Sequence, residues 1–188
     1  MNNNLKIALK LAGICFIAVV LLGVSDLLTK STIERNEADV EEQANLSMMP
    51  GCTFSEKIIV DNTEMPGMYY YKVTKNNVLA GYIISVIGNG YGGAMKVMIA
   101  VDKNLKVVDM RLLSNSETPG IGSLAKFPEY MEKFKGSNTP ARPFPTKKTM
   151  LSPADADAIT GATITFNGIS AAADIGLSIM KEVLSQGD

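Results

Sequence analysis

The chain has 188 residues, 46% of them hydrophobic, with 18 basic and 19 acidic side chains and a formal net charge of -1. That length allows one membrane helix plus one globular domain, and the balanced charge gives no basic excess for nucleic acid. Histidine is absent, which excludes His-ligated haem, His-bound zinc and Ser-His or Cys-His catalytic pairs.

The first element is apolar. Leu11 to Ser25 contains no charged residue, and the stretch reaches Leu28 if Asp26 is accepted near its end. Eighteen helical residues rise roughly 27 Å, close to the hydrocarbon thickness of a bilayer. Lys10 can snorkel to one interface. Asp26 is either an interfacial charge or a polar contact with a partner's membrane helix. No small-residue cleavage site follows the core, and a lipoprotein cleavage before Cys15 would leave a short apolar region ending in bulky Ile14. The reading is a retained anchor in the lipid bilayer. Lys6 and Lys10 before it nearly balance Lys30 and Arg35 after it, so charge does not decide its orientation. The two cysteines are Cys15, inside this stretch, and Cys52. Two are too few for an iron–sulfur cluster, which takes about four ligands. Any electron chemistry would therefore need an organic cofactor.

From Lys30 to about Met49 the pattern stays helical and polar residues dominate, which predicts a stalk ended by Pro50-Gly51. Strand-like runs follow at Thr53–Val60, Met68–Thr74, Leu79–Ile87, Ala94–Asp102 and Lys106–Leu113. Asn76-Asn77 and Lys103-Asn104 are turn signals between them, and hairpin spacing predicts an antiparallel sheet. In the fourth run Met95, Val97, Ile99 and Val101 share one side. Ser123 to Phe134 reads as helical with a break at Pro128, and Ser137 to Pro153 as irregular, with four prolines. Asn167 to Leu184 reads as a helix packed across the sheet, with Ala172, Ala173 and Gly176 permitting close approach. Its polar stripe is Ser170, Asp174, Ser178, Lys181 and Ser185. The division is therefore residues 1–29 for tail and anchor, 30–49 for the stalk and 50–188 for an α+β domain.

The chemistry concentrates in Asp157-Ala158-Ile159-Thr160-Gly161-Ala162-Thr163-Ile164-Thr165. Gly161 and Ala162 clear space, Thr160, Thr163 and Thr165 offer hydroxyls, and Thr165 or Asn167 can cap the helix that follows. A helix N-terminus suits a phosphate, and the same residues also make a plain capping turn. Upstream, Gly88-Asn89-Gly90-Tyr91-Gly92-Gly93 lacks both the GxGxxG order and a crossover helix, so it is no dinucleotide site. It is a hairpin turn or a loop beside a ligand. Lys147 and Lys148 are either neutralisers of a phosphate or a solvated pair.

Asp157, Thr160, Gly161, Ala162 and Thr163 stand in the order of the flavin-attachment motif Asp-x-x-(Ser/Thr)-Gly-Ala-Thr of the FMN-binding domain family, which this segment resembles. Ser114-Asn115-Ser116-Glu117-Thr118-Pro119-Gly120-Ile121-Gly122 is similar to that family's Ser-x-Ser-Glu-Thr-Pro-Gly-Leu-Gly loop, with Ile121 for Leu, and Tyr91-Gly92-Gly93 also fits. The order of these features, over about residues 5 to 185, resembles the G subunits of Rnf electron-transport complexes. The C subunits of sodium-pumping NADH:quinone oxidoreductases are an alternative, and a non-catalytic anchored scaffold is another.

The resemblance implies an antiparallel-sheet FMN-binding domain whose FMN is esterified through its phosphate to Thr163 by a flavin transferase. Asp157, Thr160, Gly161, Ala162, Thr165, Tyr91, Glu117, Thr118, Pro119, Gly120, Ile121 and Gly122 would surround that cofactor. It further implies an electron-carrying subunit, not catalytic alone, among the membrane and peripheral subunits of a redox-driven ion translocase. The soluble domain would lie on the outer face of the cytoplasmic membrane. Two departures from the family pattern are Phe166, where a small or polar residue is common, and the glycine-poor lead-in Leu151–Ala156.

Overall fold

The computed structural model describes residues 3–114, 122–159 and 162–186. The chain forms two compact units, Met1–Glu42 and Gln43–Asp188. The described residues of the first unit lie within helix α1, Asn3–Met48, whose N-terminal part is long and apolar enough to cross a membrane. Its apolar side chains, from Ile7 to Leu28, are all exposed within the chain, as lipid-facing residues of a lone span would be. No break in the helix marks a boundary between residues 29 and 30.

The second unit begins ahead of the expected residue 50, because the C-terminal end of α1 is part of its packing. Met48 is buried with Val73, Ile83, Met98 and Ala100, and Ala44 and Met49 pack against the same cluster. The sheet beneath is antiparallel throughout, in the order β1 (Thr53–Phe54), β3 (Tyr69–Lys75), β4 (Val78–Asn89), β5 (Ala94–Asp102) and β6 (Val107–Ser114). Strand β2 (Ile58–Ile59) also pairs with β3. The expected single strand Thr53–Val60 is thus two short ones, each hydrogen-bonded to a different part of β3.

Alternation along β5 sorts the two faces of the sheet. Met95, Val97, Ile99 and Val101 enter the main core, while Met98 and Ala100 enter the smaller cluster on the opposite side. A sheet covered on both faces explains why Tyr82–Val86 of β4 is buried without interruption. Asn76 and Asn77 both adopt positive φ, 52° and 61°, in the β3–β4 connection, the geometry of a tight hairpin turn.

After β6 the chain forms a 3-10 turn at Gly122–Lys126, the short helix α2 (Pro128–Met131) and a 3-10 turn at Glu132–Phe134. Pro128 occupies the first turn of α2, where its missing N–H costs nothing. The segment 137–152 is irregular except for a 3-10 turn at Lys148–Met150. It is tied down by an aromatic stack: the ring of Phe134 lies 5.4 Å from that of Phe144 and 5.6 Å from that of Phe166, nearly parallel to both. Helix α3 (Pro153–Ala158) is capped by Ser152, whose Oγ accepts from the Asp155 N–H at 3.2 Å.

Helix α4, Thr163–Gln186, lies across the main-core face of the sheet on β4. It starts four residues before the expected Asn167, so neither Thr165 nor Asn167 is a cap. Ala162 takes that position, its carbonyl accepting from the Phe166 N–H at 2.9 Å. Ser170 is fully buried; it shares the inward face with Phe166, Ile169, Ala173 and Leu177 and leaves the exposed stripe to Asp174, Ser178, Lys181 and Ser185.

The approach of α4 to β4 is closer than side chains normally allow. A Cβ on Gly168 would strike the backbone carbonyl of Asn89, one on Gly88 would lie 2.7 Å from the Gly168 carbonyl, and one on Gly176 would strike Cγ1 of Val86. Gly168→Ala should therefore destabilise the second unit by about 3 kcal/mol and Gly176→Ala by about 1–2 kcal/mol. The obstacle is fixed backbone at the first position and a side chain at the second. Alanine otherwise favours a helix by about 1 kcal/mol over glycine, so urea melts that show either variant stabilised would contradict the packing.

Lys133 is 5% exposed. Its ammonium donates to the Tyr130 carbonyl and sits 3.6 Å from the centroid of the Tyr130 ring. Burial lowers its pKa below 10.5, partly opposed by the Asp155 carboxylate. The folded state thus disfavours the protonated amine, and that cost disappears as pH rises through the folded pKa toward 10.5. In phosphate-free buffer, the stability of the wild type relative to Lys133→Met should rise with pH in that window. A flat or falling difference in melting temperature would contradict this burial.

Candidate functional site

The segment from Asp157 to Thr165 connects α3 to α4. Asp157 lies in α3 and is exposed, its carbonyl accepting the Ile159 N–H. Ile159 is fully buried, and its carbonyl accepts the Ala162 N–H at 3.0 Å. Ala162 is buried in turn. These two apolar anchors, one on each side of residues 160–161, fix where α4 begins. Thr160 and Gly161 themselves lie outside the described residues.

Thr163 is the first residue of α4 and is half-buried. Ile164 beside it is exposed, whereas Thr165 and Phe166 are buried at 2% and 0%. Of the hydroxyl side chains described in this segment, only that of Thr163 is open to an incoming group. The first turn of α4 has no acidic residue, and its N-cap, Ala162, has no side-chain oxygen to occupy the amide groups there. The end of a 24-residue helix carries partial positive charge. The residues present therefore fit a phosphate group at Thr163.

The glycine-rich segment is the hairpin loop between β4 and β5, closed by the Gly90 N–H donating to the Gly93 carbonyl at 2.9 Å. Tyr91 in this loop is 74% exposed. The stem of the hairpin reaches α4 where Asn89 meets Gly168, five residues beyond Thr163 and roughly 7.5 Å along the helix axis. The structure thereby brings Tyr91 and the Thr163 segment to the same end of the β4–α4 layer. Glu117, Thr118, Pro119, Gly120 and Ile121 lie outside the described residues, and Gly122 opens the 3-10 turn that follows.

Sequence reasoning missed two features. One is a groove of about 410 Å³ lined by Met65, Pro66, Ile87, Gly88, Gly168 and Ala172, among others. Gly168 looks like an interruption of a helix, and only the strand opposite it shows that its missing side chain opens this approach. The other is the Phe134–Phe144–Phe166 stack, which accounts for Phe166: its ring supports the first turn of α4 from inside the core. Lys147 is exposed and Lys148 half-buried, in the 3-10 turn that lies against α4. Among the described residues no group of His, Cys, Asp and Glu is arranged to hold a metal ion.

The profile of the FMN-binding domain family matches residues 90–178, from the β4–β5 loop through most of α4. The G subunit of the proton-translocating ferredoxin:NAD(+) oxidoreductase complex of Clostridium ljungdahlii is 25% identical over 90% of this chain and 87% of its own. The G subunit of the ion-translocating oxidoreductase complex of Methanosarcina acetivorans is 24% identical over 87% of each chain. Its counterpart in Vibrio vulnificus is 27% identical over 88% of this chain and 83% of its own. The chain contains an FMN-binding domain and is a homologue, over most of its length, of the G subunits of ion-translocating oxidoreductase complexes.

Proposed function

We propose that this chain is the electron-carrying G-type subunit of a membrane-bound, ion-translocating ferredoxin:NAD oxidoreductase and that it holds one FMN as a phosphoester on Thr163. The observation that carries the reading is the position of Thr163: a half-buried hydroxyl on the first residue of α4, inside the segment matched by the FMN-binding family. When bound, FMN supplies the one- and two-electron chemistry that a chain without histidine and with two lone cysteines lacks.

The rest follows from what the side chains do. The Thr163 Oγ1 would be the ester oxygen, the amide groups of the first turn of α4 would face the phosphate, and Ala162 leaves that face clear. A covalent tether holds the cofactor at an effective concentration of mM or more, so affinity need not come from a deep pocket. A flavin transferase would install the ester. Thr160, Gly161 and the Glu117–Gly122 loop, with Tyr91, would border the cofactor, as the family resemblance implies. Helix α1 would keep the domain at the bilayer among the other subunits, on the outer side of the cytoplasmic membrane by the same resemblance.

The test is flavin fluorescence on a denaturing gel of protein taken from its source or co-expressed with a flavin transferase. Wild type should give a fluorescent band at the mass of the chain. Thr163→Ala should be dark. Thr165→Ala, which removes a buried hydroxyl at a cost of about 1 kcal/mol, should stay fluorescent. A fluorescent Thr163→Ala band would place the ester elsewhere, and a dark wild type from the native source would remove the covalent carrier altogether.

A further inference from the structure

A second concavity, outside the α3–α4 connection, surrounds Lys133. It has a volume of about 490 Å³ and is lined by Lys133, Arg142, Pro143, Pro145, Ser152 and Asp155, among others. Lys133 is 95% buried, and among the described residues its ammonium has one hydrogen-bond acceptor, the Tyr130 carbonyl, beside the Tyr130 ring it rests against. Two of its three N–H donors find no hydrogen-bond acceptor among the described residues. Arg142 is clamped in place: Nη1 donates to the Lys135 carbonyl at 2.6 Å and Nη2 to the Lys133 carbonyl at 2.9 Å. A guanidinium has five N–H donors, so three have no acceptor among the described residues. Asp155 Oδ2 accepts from the Ser152 hydroxyl at 2.7 Å, and among the described residues Oδ1 has no hydrogen-bond donor. The cavity therefore offers a surplus of cationic donors, one carboxylate acceptor and a formal charge of +1 from Lys133, Arg142 and Asp155.

A buried ammonium calls for an anion. The carboxylate beside it narrows which anion. A carboxylate repels a fully deprotonated oxyanion but accepts a hydrogen bond from one that keeps an O–H. Phosphate near neutral pH carries both kinds of oxygen, whereas sulfate and a phosphodiester carry none protonated. We propose that this cavity binds a phosphate group, Lys133 and Arg142 donating to its anionic oxygens and Asp155 accepting from its protonated oxygen. Inorganic phosphate and a phosphomonoester share this chemistry. A phosphate esterified to a threonine within a flavin does not, so the site is separate from the Thr163 ester and stands whether or not that ester exists.

Calorimetric titration of the full chain in detergent, in phosphate-free buffer near neutral pH, tests the site. Inorganic phosphate should bind saturably to wild type and sulfate about tenfold more weakly. Lys133→Met should weaken phosphate binding by about tenfold or more, the loss expected for a charged hydrogen bond. Asp155→Asn should bring phosphate and sulfate close together in affinity. Glycerol phosphate run beside inorganic phosphate separates the sources: binding of both assigns the cavity to phosphomonoesters, and binding of phosphate alone assigns it to the free ion. Arg142→Gln, at an exposed position, reports on the site should Lys133→Met fail to fold. No saturable phosphate binding to wild type, or affinities unchanged in both Lys133→Met and Arg142→Gln, overturns the proposal.

Discussion

The second unit depends on how closely α4 can lie on β4. Gly88 and Gly176 sit opposite backbone or branched side chains, and Gly168 meets the Asn89 carbonyl directly. Because packed interiors leave little slack, this contact fixes the height of α4 above the sheet. It also fixes its register, since Gly168 has only one place to sit against the end of β4. Once the register is fixed, so is the position of the first turn of the helix, five residues upstream.

That first turn is held from three sides. Ile159 and Ala162 are buried on either side of the residues that precede it. Phe166 reaches into the core and stacks on Phe134, which stacks on Phe144. The hydroxyl of Thr163 is left half-exposed on a helix end whose first turn has no acidic residue and whose N-cap, Ala162, has no side-chain oxygen. A group esterified there needs no large enclosing pocket. To such a group the protein would contribute a fixed attachment point, a favourable electrostatic end and a loop, Gly90–Gly93, on the neighbouring hairpin.

Much of this is legible in the chain. The alternation of Met95, Val97, Ile99 and Val101 names one face of β5, and the bounds Ala94–Asp102 match the strand. Asn76-Asn77 marks a turn because asparagine tolerates positive φ. The start of α4 is harder to read, because Thr163, Ile164 and Thr165 are weak helix formers and the residues before them look like a capping turn. Burial of Phe166 overrides that local preference. Ser170 falls off the exposed stripe because spacing shows which residues share a stripe, while neighbouring layers decide how wide the buried face is. Thr53–Val60 reads as one strand because its partner, β3, cannot be assigned from the run itself. The approach at Gly168 is a property of two segments some eighty positions apart, and neither segment alone announces it. The attachment motif is legible only by resemblance: from composition, the same residues make an ordinary helix start.

The central claim is that the hydroxyl at the start of α4 is the flavin ester. The most direct test is fragmentation mass spectrometry of the tryptic peptide 149–181 from protein purified out of its native membrane. That peptide holds Thr149, Thr160, Thr163 and Thr165, so every competing threonine nearby is in the same spectrum. The account predicts a peptide heavier by one FMN less water, with the added mass confined to Thr163. An unmodified peptide, or the added mass on Thr160 or Thr165, would contradict it.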